Sequence, residues 1–114
     1  MTETVCVPGL LRGDWKDLAF AQFRDGIEIA WLREDVPGIA VLRYQPGASV
    51  PLHMHPDVEM ILVLDGTQTD ESGTFGPGDV VINPPGSQHS VASEGGCVVL
   101  LMWSKPVVFV DRTD

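Results

Sequence analysis

Apolar residues in this chain gather in short runs at residues 27–32, 39–44, 58–64, 79–82, 89–92, 97–103 and 107–110. Each run is four to seven residues long and dominated by Val, Ile, Leu and aromatic side chains. Residues of that kind fit a pleated, half-buried surface, so the runs predict strands. Turn formers stand between them: Pro46-Gly47, Asp65-Gly66, Gly76-Pro77-Gly78, Pro84-Pro85-Gly86 and Gly95-Gly96. Short strands at such regular spacing predict an all-β antiparallel sandwich or barrel. Two runs, 58–64 (apart from Glu59) and 97–103, are apolar at every position, so both faces of those strands are expected to be covered.

The first 26 residues follow neither period. Trp15, Leu18, Phe20 and Phe23 form no helical stripe and no strict alternation. We therefore expect residues 1–26 to be an arm packed on a barrel formed by residues 27–114, together one domain. The arm would cover part of the outer apolar face and a second copy of the chain the rest, which predicts a homodimer.

Length and composition agree with a single packed domain. The chain has 114 residues, 44% of them hydrophobic, and no apolar run approaches the ~18–20 residues of a membrane span. Residues 1–11 show no basic segment followed by an apolar one, so no signal peptide and a cytoplasmic location are expected. Cys6 and Cys97 lie in neither a CxxC pair nor a histidine cluster, and Cys97 is expected as a buried thiol.

Charge narrows the partners. Seven Lys and Arg against sixteen Asp and Glu give a net charge of −9. Between Tyr44 and Ser104 there is no Lys or Arg, but there are seven acids. Nucleic-acid binding needs cations against phosphates, and a phosphorylated substrate commonly needs an arginine clamp. Neither partner is expected, nor is a membrane.

All three histidines fall into one pattern with a glutamate. His53 and His55 are two residues apart, so on an extended strand their imidazoles share a face. Pro56-Asp57 favours a bend, after which Glu59 opens the next apolar run and can return beside the first strand. The Pro84-Pro85-Gly86 turn then leads to His89. Three imidazoles and a carboxylate make an N/O donor set suited to a first-row divalent metal. Weaker candidates surround it. Ser87 and Gln88 could serve the turn, only one of Arg43 and Tyr44 can face inward, and Trp31, Met60, Met102 and Trp103 could line a pocket or simply the core. No catalytic residue is identifiable from this pattern.

These residues resemble the cupin motifs G-x5-HxH-x3-E-x6-G and G-x5-PxG-xx-H-x3-N. The first matches at Gly47, His53, His55, Glu59 and Gly66, and the second at Gly78, Pro84, Gly86 and His89, with Ser93 in place of the final Asn. The chain is more closely similar to the ChrR-like cupins, the C-terminal sensor domains of zinc-dependent anti-sigma factors. That likeness lies in Asp65-Gly66-Thr67, Asp70-Glu71-Ser72-Gly73, Asn83 to His89, Ser93 and Gly96-Cys97. It implies an RmlC-like double-stranded β-helix, a jelly-roll barrel, with one divalent metal per chain: Fe, Mn or Zn, with Ni and Cu as further candidates. Two functions follow from it. One is a non-haem Fe(II) or Mn(II) dioxygenase cleaving a small diketone or hydroxyketone, a ligand that needs no arginine clamp. The other is a non-catalytic zinc-binding sensor or regulatory cupin. The N-terminal zinc domain of the anti-sigma factors is not expected here, because the chain has no further His/Cys set to supply its ligands.

Overall fold

The computed structural model describes residues 3–110, so residues 1–2 of the expected arm and 111–114 of the expected barrel segment lie outside the described residues. Eleven strands are present among the described residues: β1 Ala21–Arg24, β2 Ile27–Arg33, β3 Gly38–Tyr44, β4 Ala48–Met54, β5 Glu59–Gly66, β6 Gln68–Asp70, β7 Gly73–Phe75, β8 Val80–Asn83, β9 Gln88–Ser93, β10 Cys97–Trp103 and β11 Val108–Phe109. They form two sheets, a six-stranded one in the order β1-β2-β3-β10-β5-β8 and a five-stranded one in the order β11-β4-β9-β6-β7. Every pairing is antiparallel. This is the all-β barrel that the spacing of runs and turns predicts.

Alternation decides what each strand contributes. In β5, Glu59, Ile61 and Val63 are buried between the sheets, while Met60, Leu62 and Leu64 are half-buried on the outer face. In β3, Ala40, Leu42 and Tyr44 point into the core and Arg43 points out. Of the two neighbours, then, Tyr44 is the inward one. Arg43 pairs with Glu28 at 2.9 Å and lies 4.0 Å from the Phe20 ring centroid.

Before the first strand, two short 3₁₀ turns, Leu10–Arg12 and Asp14–Asp17, bring Leu10 and Trp15 onto the outer face of the six-stranded sheet. There they bury Ala30, Val41 and Val98, with Val7, Leu18 and Phe20 packed around them. The rest of that face is less covered, and Val80 and Ile82 at the sheet edge are each 56% exposed.

At one corner the fold depends on a glycine. Gly66 has φ +70°, and a Cβ there would collide with the carbonyl oxygen of Gly96. Only a residue without a side chain lets β5 and β10 close at this end.

Candidate metal centre

Three strands and the segment after the first of them bring His53, His55, Glu59 and His89 together. His53 lies in β4 directly opposite His89 of β9. Pro51 falls where the β4–β9 register shifts, a bulge that needs no N–H from it. His55 follows the end of β4, and its backbone is latched to the Pro84-Pro85-Gly86 turn by Gly86 N–H to His55 O at 2.7 Å and His55 N–H to Ser87 O at 2.9 Å. Glu59 arrives from the other side. Its strand does not return beside β4, as the sequence reading expects, but crosses into the opposite sheet, where β5 pairs with β10 and β8. The bend after His55 thus carries the chain across the barrel, and the carboxylate meets the imidazoles from the facing wall.

All four residues are buried. The three imidazole centroids lie 4.6–5.1 Å apart with interplanar angles of 70–88°. One ligand atom from each of the four residues lies within 4.8 Å of all the others, a cluster small enough for a single ion to touch every member.

Hydrogen bonds on the far side of each ring fix its proton. His53 Nδ1 is 2.8 Å from the Pro51 carbonyl oxygen, which can only accept. His89 Nδ1 is 2.9 Å from Asp70 Oδ2. His55 Nδ1 is 2.9 Å from Ser87 Oγ, and Ser87 donates its own proton to the Pro84 carbonyl at 2.6 Å, so the hydroxyl accepts from the ring. Each Nδ1 is therefore a donor, and in the neutral ring each Nε2 keeps its lone pair. Burial, the larger influence on His53, holds its pKa below the ordinary 6.5 and favours that neutral form. Glu59 Oε1 accepts from Asn83 Nδ2 at 3.1 Å.

The chemistry of this donor set matches a metal ion. Nε2 of His55 and of His89 are buried with no hydrogen-bond partner. Glu59 Oε1 is 3.1 Å from the first and 3.8 Å from the second, but neither contact is a hydrogen bond. Lone pairs and a carboxylate that face one another in a buried place repel unless a cation sits among them. Partners on the outer ring nitrogens are the usual means of aiming imidazoles at a metal. The cluster suits one divalent ion.

Beside it lies a cavity of about 110 Å³ bordered by His53, Glu59 and His89. Its walls are mostly apolar and include Ile27, Leu42, Val91, Leu101 and Phe109. Trp103, opposite Glu59 in register, lines it, whereas Trp31, Met60 and Met102 do not. Tyr44 and Gln68 are polar groups on the wall. Burial raises the Tyr44 pKa far above its ordinary value, so the group is a neutral hydroxyl.

Several residues of this centre escaped the sequence reading. Asp70 reaches His89 only because β6 pairs with β9, a contact that 19 residues of separation hide. Ser87 serves the turn, as the sequence suggests, by donating to the Pro84 carbonyl, but its contact with His55 and that of Asn83 with Glu59 reach residues elsewhere in the chain. Glu71 accepts the hydroxyl proton of Ser90 at 2.6 Å and its backbone N–H, bonds that lower the Glu71 pKa and tie the β6–β7 hairpin to β9. Arg24 also lines the cavity, a cation from outside the stretch 44–104 that has none. Gln88 is exposed and takes no part. Cys6 and Cys97 are free thiols, the first exposed and the second buried.

Residues 10–107 match the sequence model of the ChrR cupin-like domain. Anti-sigma-E factor ChrR of Cereibacter sphaeroides is 33% identical over 97 residues, which cover 82% of this chain. The match spans only 46% of that relative's length. Among solved structures, the anti-sigma factor ChrR of Rhodobacter sphaeroides, crystallised in complex with SigE, superposes with a TM-score of 0.70 at 28% identity, over 77% of this chain and 49% of that one. An acetylacetone dioxygenase from Acinetobacter johnsonii gives a TM-score of 0.79 over 98% of this chain and 80% of that one. At 15% identity, this second likeness is one of fold, the cupin barrel.

Proposed function

The chain belongs to the ChrR cupin-like domain family, and on that footing we propose that it binds one first-row divalent ion through His53, His55, Glu59 and His89 and offers that ion to a small organic ligand. One observation carries the reading: Nε2 of His55 and of His89 are buried without a partner beside Glu59, in a cluster whose His53, Glu59 and His89 border a cavity with apolar walls. When bound, such an ion supplies a Lewis acid for an oxygen donor or a one-electron partner for dioxygen. The chain's own residues do the rest. Pro51 O, Ser87 and Asp70 hold the imidazoles, Asn83 holds the Glu59 carboxylate, and the aliphatic walls keep water from the ligand. The reaction we assign to this arrangement is oxidative C–C cleavage of a compact diketone or hydroxyketone, with iron or manganese as the ion and dioxygen as the oxidant.

A second reading has its own support. The 33% identity to an anti-sigma factor favours a non-catalytic zinc-binding regulatory domain whose partner is a protein such as a sigma factor. The two readings differ in coordination. A catalytic ion keeps positions open, whereas a structural zinc is closed by four protein ligands. Oxygen uptake by iron-, manganese- and zinc-loaded protein with a panel of β-diketones and hydroxyketones, with X-ray absorption on the same samples, separates them. Uptake by the iron or manganese form supports the enzyme. Four-coordinate metal in every form, without uptake, supports the regulatory domain.

The remaining apolar outer face, which includes the exposed Val80 and Ile82 at the sheet edge, supports a homodimer. Two free thiols are in keeping with a reducing compartment, which supports the cytoplasm. Among the described residues no helix is long and apolar enough to cross a membrane.

A further inference from the structure

We infer that Arg24 makes the cavity selective for small organic anions that present two oxygens in one plane, a carboxylate or the enolate of a diketone. The inference rests on the ligand-binding reading above and narrows it from neutral to anionic ligands.

Position comes first. Arg24 ends β1, at the edge of the six-stranded sheet, and its side chain reaches the cavity that His53, Glu59 and His89 border. The guanidinium lies 4.8 Å from the Phe109 ring centroid. Phe109 stands opposite His53 in the β11–β4 register, and its ring lies 5.9 Å from the His53 ring. Phe109 thus holds the cation on the wall that carries His53, where a ligand touching the metal centre would meet it. Stacking on an aromatic face leaves the edge of the guanidinium, with its fork of N–H donors, free to face a ligand.

Charge comes second. Arg33 and Arg43 each pair with a carboxylate, Asp35 at 3.9 Å and Glu28 at 2.9 Å. Among the described residues no carboxylate pairs with Arg24, and Arg24 is the one cationic side chain on the cavity wall. The other polar wall groups away from the metal centre, the Tyr44 hydroxyl and the Gln68 amide, are neutral. In a chain of net charge −9 a lone cation beside a mostly apolar cavity gives an entering anion a specific partner. The planar fork of arginine matches two coplanar oxygens, and a neutral ketone offers it only half of that contact.

The test is a titration of the full chain, zinc-loaded so that no turnover follows binding, with three ligands of similar size: pivalate, acetylacetone and the neutral ketone pinacolone. Trp103 fluorescence reports occupancy of the cavity, and metal content is measured on every sample. We expect pivalate, acetylacetone or both to bind more tightly than pinacolone, with affinity that falls as salt rises. Arg24→Gln should weaken anion binding about 10- to 100-fold, the effect of losing a charged hydrogen-bond partner, and leave pinacolone unchanged. Arg24→Lys should recover part of the loss. Metal content should stay at one per chain in all three proteins. Equal anion affinity in wild type and Arg24→Gln, or no preference for either anion over pinacolone in wild type, would overturn the inference. Failure of the metal reading would look different: wild type would hold no metal. The same titrations on metal-free protein would then still decide the role of Arg24.

Discussion

On the inner face of the six-stranded sheet, Ile61, Val63, Val99 and Leu101 are buried by the facing sheet, and the row ends at Glu59. On the outer face of the same strands, Val98 and its neighbour Val41 are buried by Leu10 and Trp15, while Met60, Leu62 and Met102 are half-covered and Val80 and Ile82 are exposed. The inner face is completed by the barrel itself, and what is left without a partner there is polar: two Nε2 atoms beside the Glu59 carboxylate. The outer face is completed only in part, and what it leaves is apolar. An unpartnered polar cluster calls for an ion, and an uncovered apolar patch calls for another surface. The outer face thus adds stability, while the space between the two sheets holds the cluster with the chemistry.

Removing the outer cover should cost the most stability. Trp15→Ala is expected to destabilise the fold by about 3–5 kcal/mol, the range for truncating a buried aromatic. The metal content of the folded variant should stay at that of wild type. Urea unfolding and metal analysis on the same preparation check both, and a loss of metal from folded protein would break the division proposed here.

Asp70→Asn should do the reverse. The amide can still face His89 but no longer fixes its tautomer or raises its basicity, so metal affinity should fall about 10- to 100-fold. Stability of the metal-free protein should change little. Competition with a chromophoric chelator gives the first quantity and thermal unfolding in EDTA the second.

A smaller effect is expected from Cys97. Burial pushes its thiol up to about 11 from an ordinary 9.0. The folded chain therefore holds this proton to higher pH than the unfolded one. Its stabilising contribution is complete below about pH 9 and is lost as pH rises toward 11. Urea titrations across that window should show stability falling with pH in wild type, and falling less steeply in Cys97→Ala.

The smallest effect on folding should come from Ile82→Lys, within about 0.5 kcal/mol for an exposed site. Light scattering should nevertheless show the proposed dimer replaced by a monomer of 12.4 kDa. A wild-type chain that is monomeric at micromolar concentration would remove the dimer from this picture.

Much of this comparison could be read from the residues. The apolar runs locate β2, β3, β5, β8, β9, β10 and β11, and the spacing of His53, His55, Glu59 and His89 marks the four residues that the fold brings together. Other elements are hidden for physical reasons. β4 contains Pro51 at a bulge and ends just after His53, so its alternation is broken. β6 and β7 are three residues each, with Phe75 their one large apolar side chain, and the Asp70 and Glu71 contacts to β9 help hold them. β1 is short and carries Arg24, whose place on the cavity wall depends on a β11 ring 85 residues further along. The sequence marks what a strand or a motif contains, but not which distant residue completes it.

The central claim is that His53, His55, Glu59 and His89 hold one divalent ion as a unit, and metal analysis tests it most directly. Wild type and His53→Ala/His89→Ala are each loaded with iron, manganese or zinc, dialysed against metal-free buffer and analysed for bound metal and melting temperature. The account predicts one ion per chain in wild type with at least one of these metals. It predicts less than a tenth of that in the double variant, and a melting temperature that metal raises in wild type only. Stoichiometric metal in the double variant, or none in wild type with any of the three metals, would contradict it.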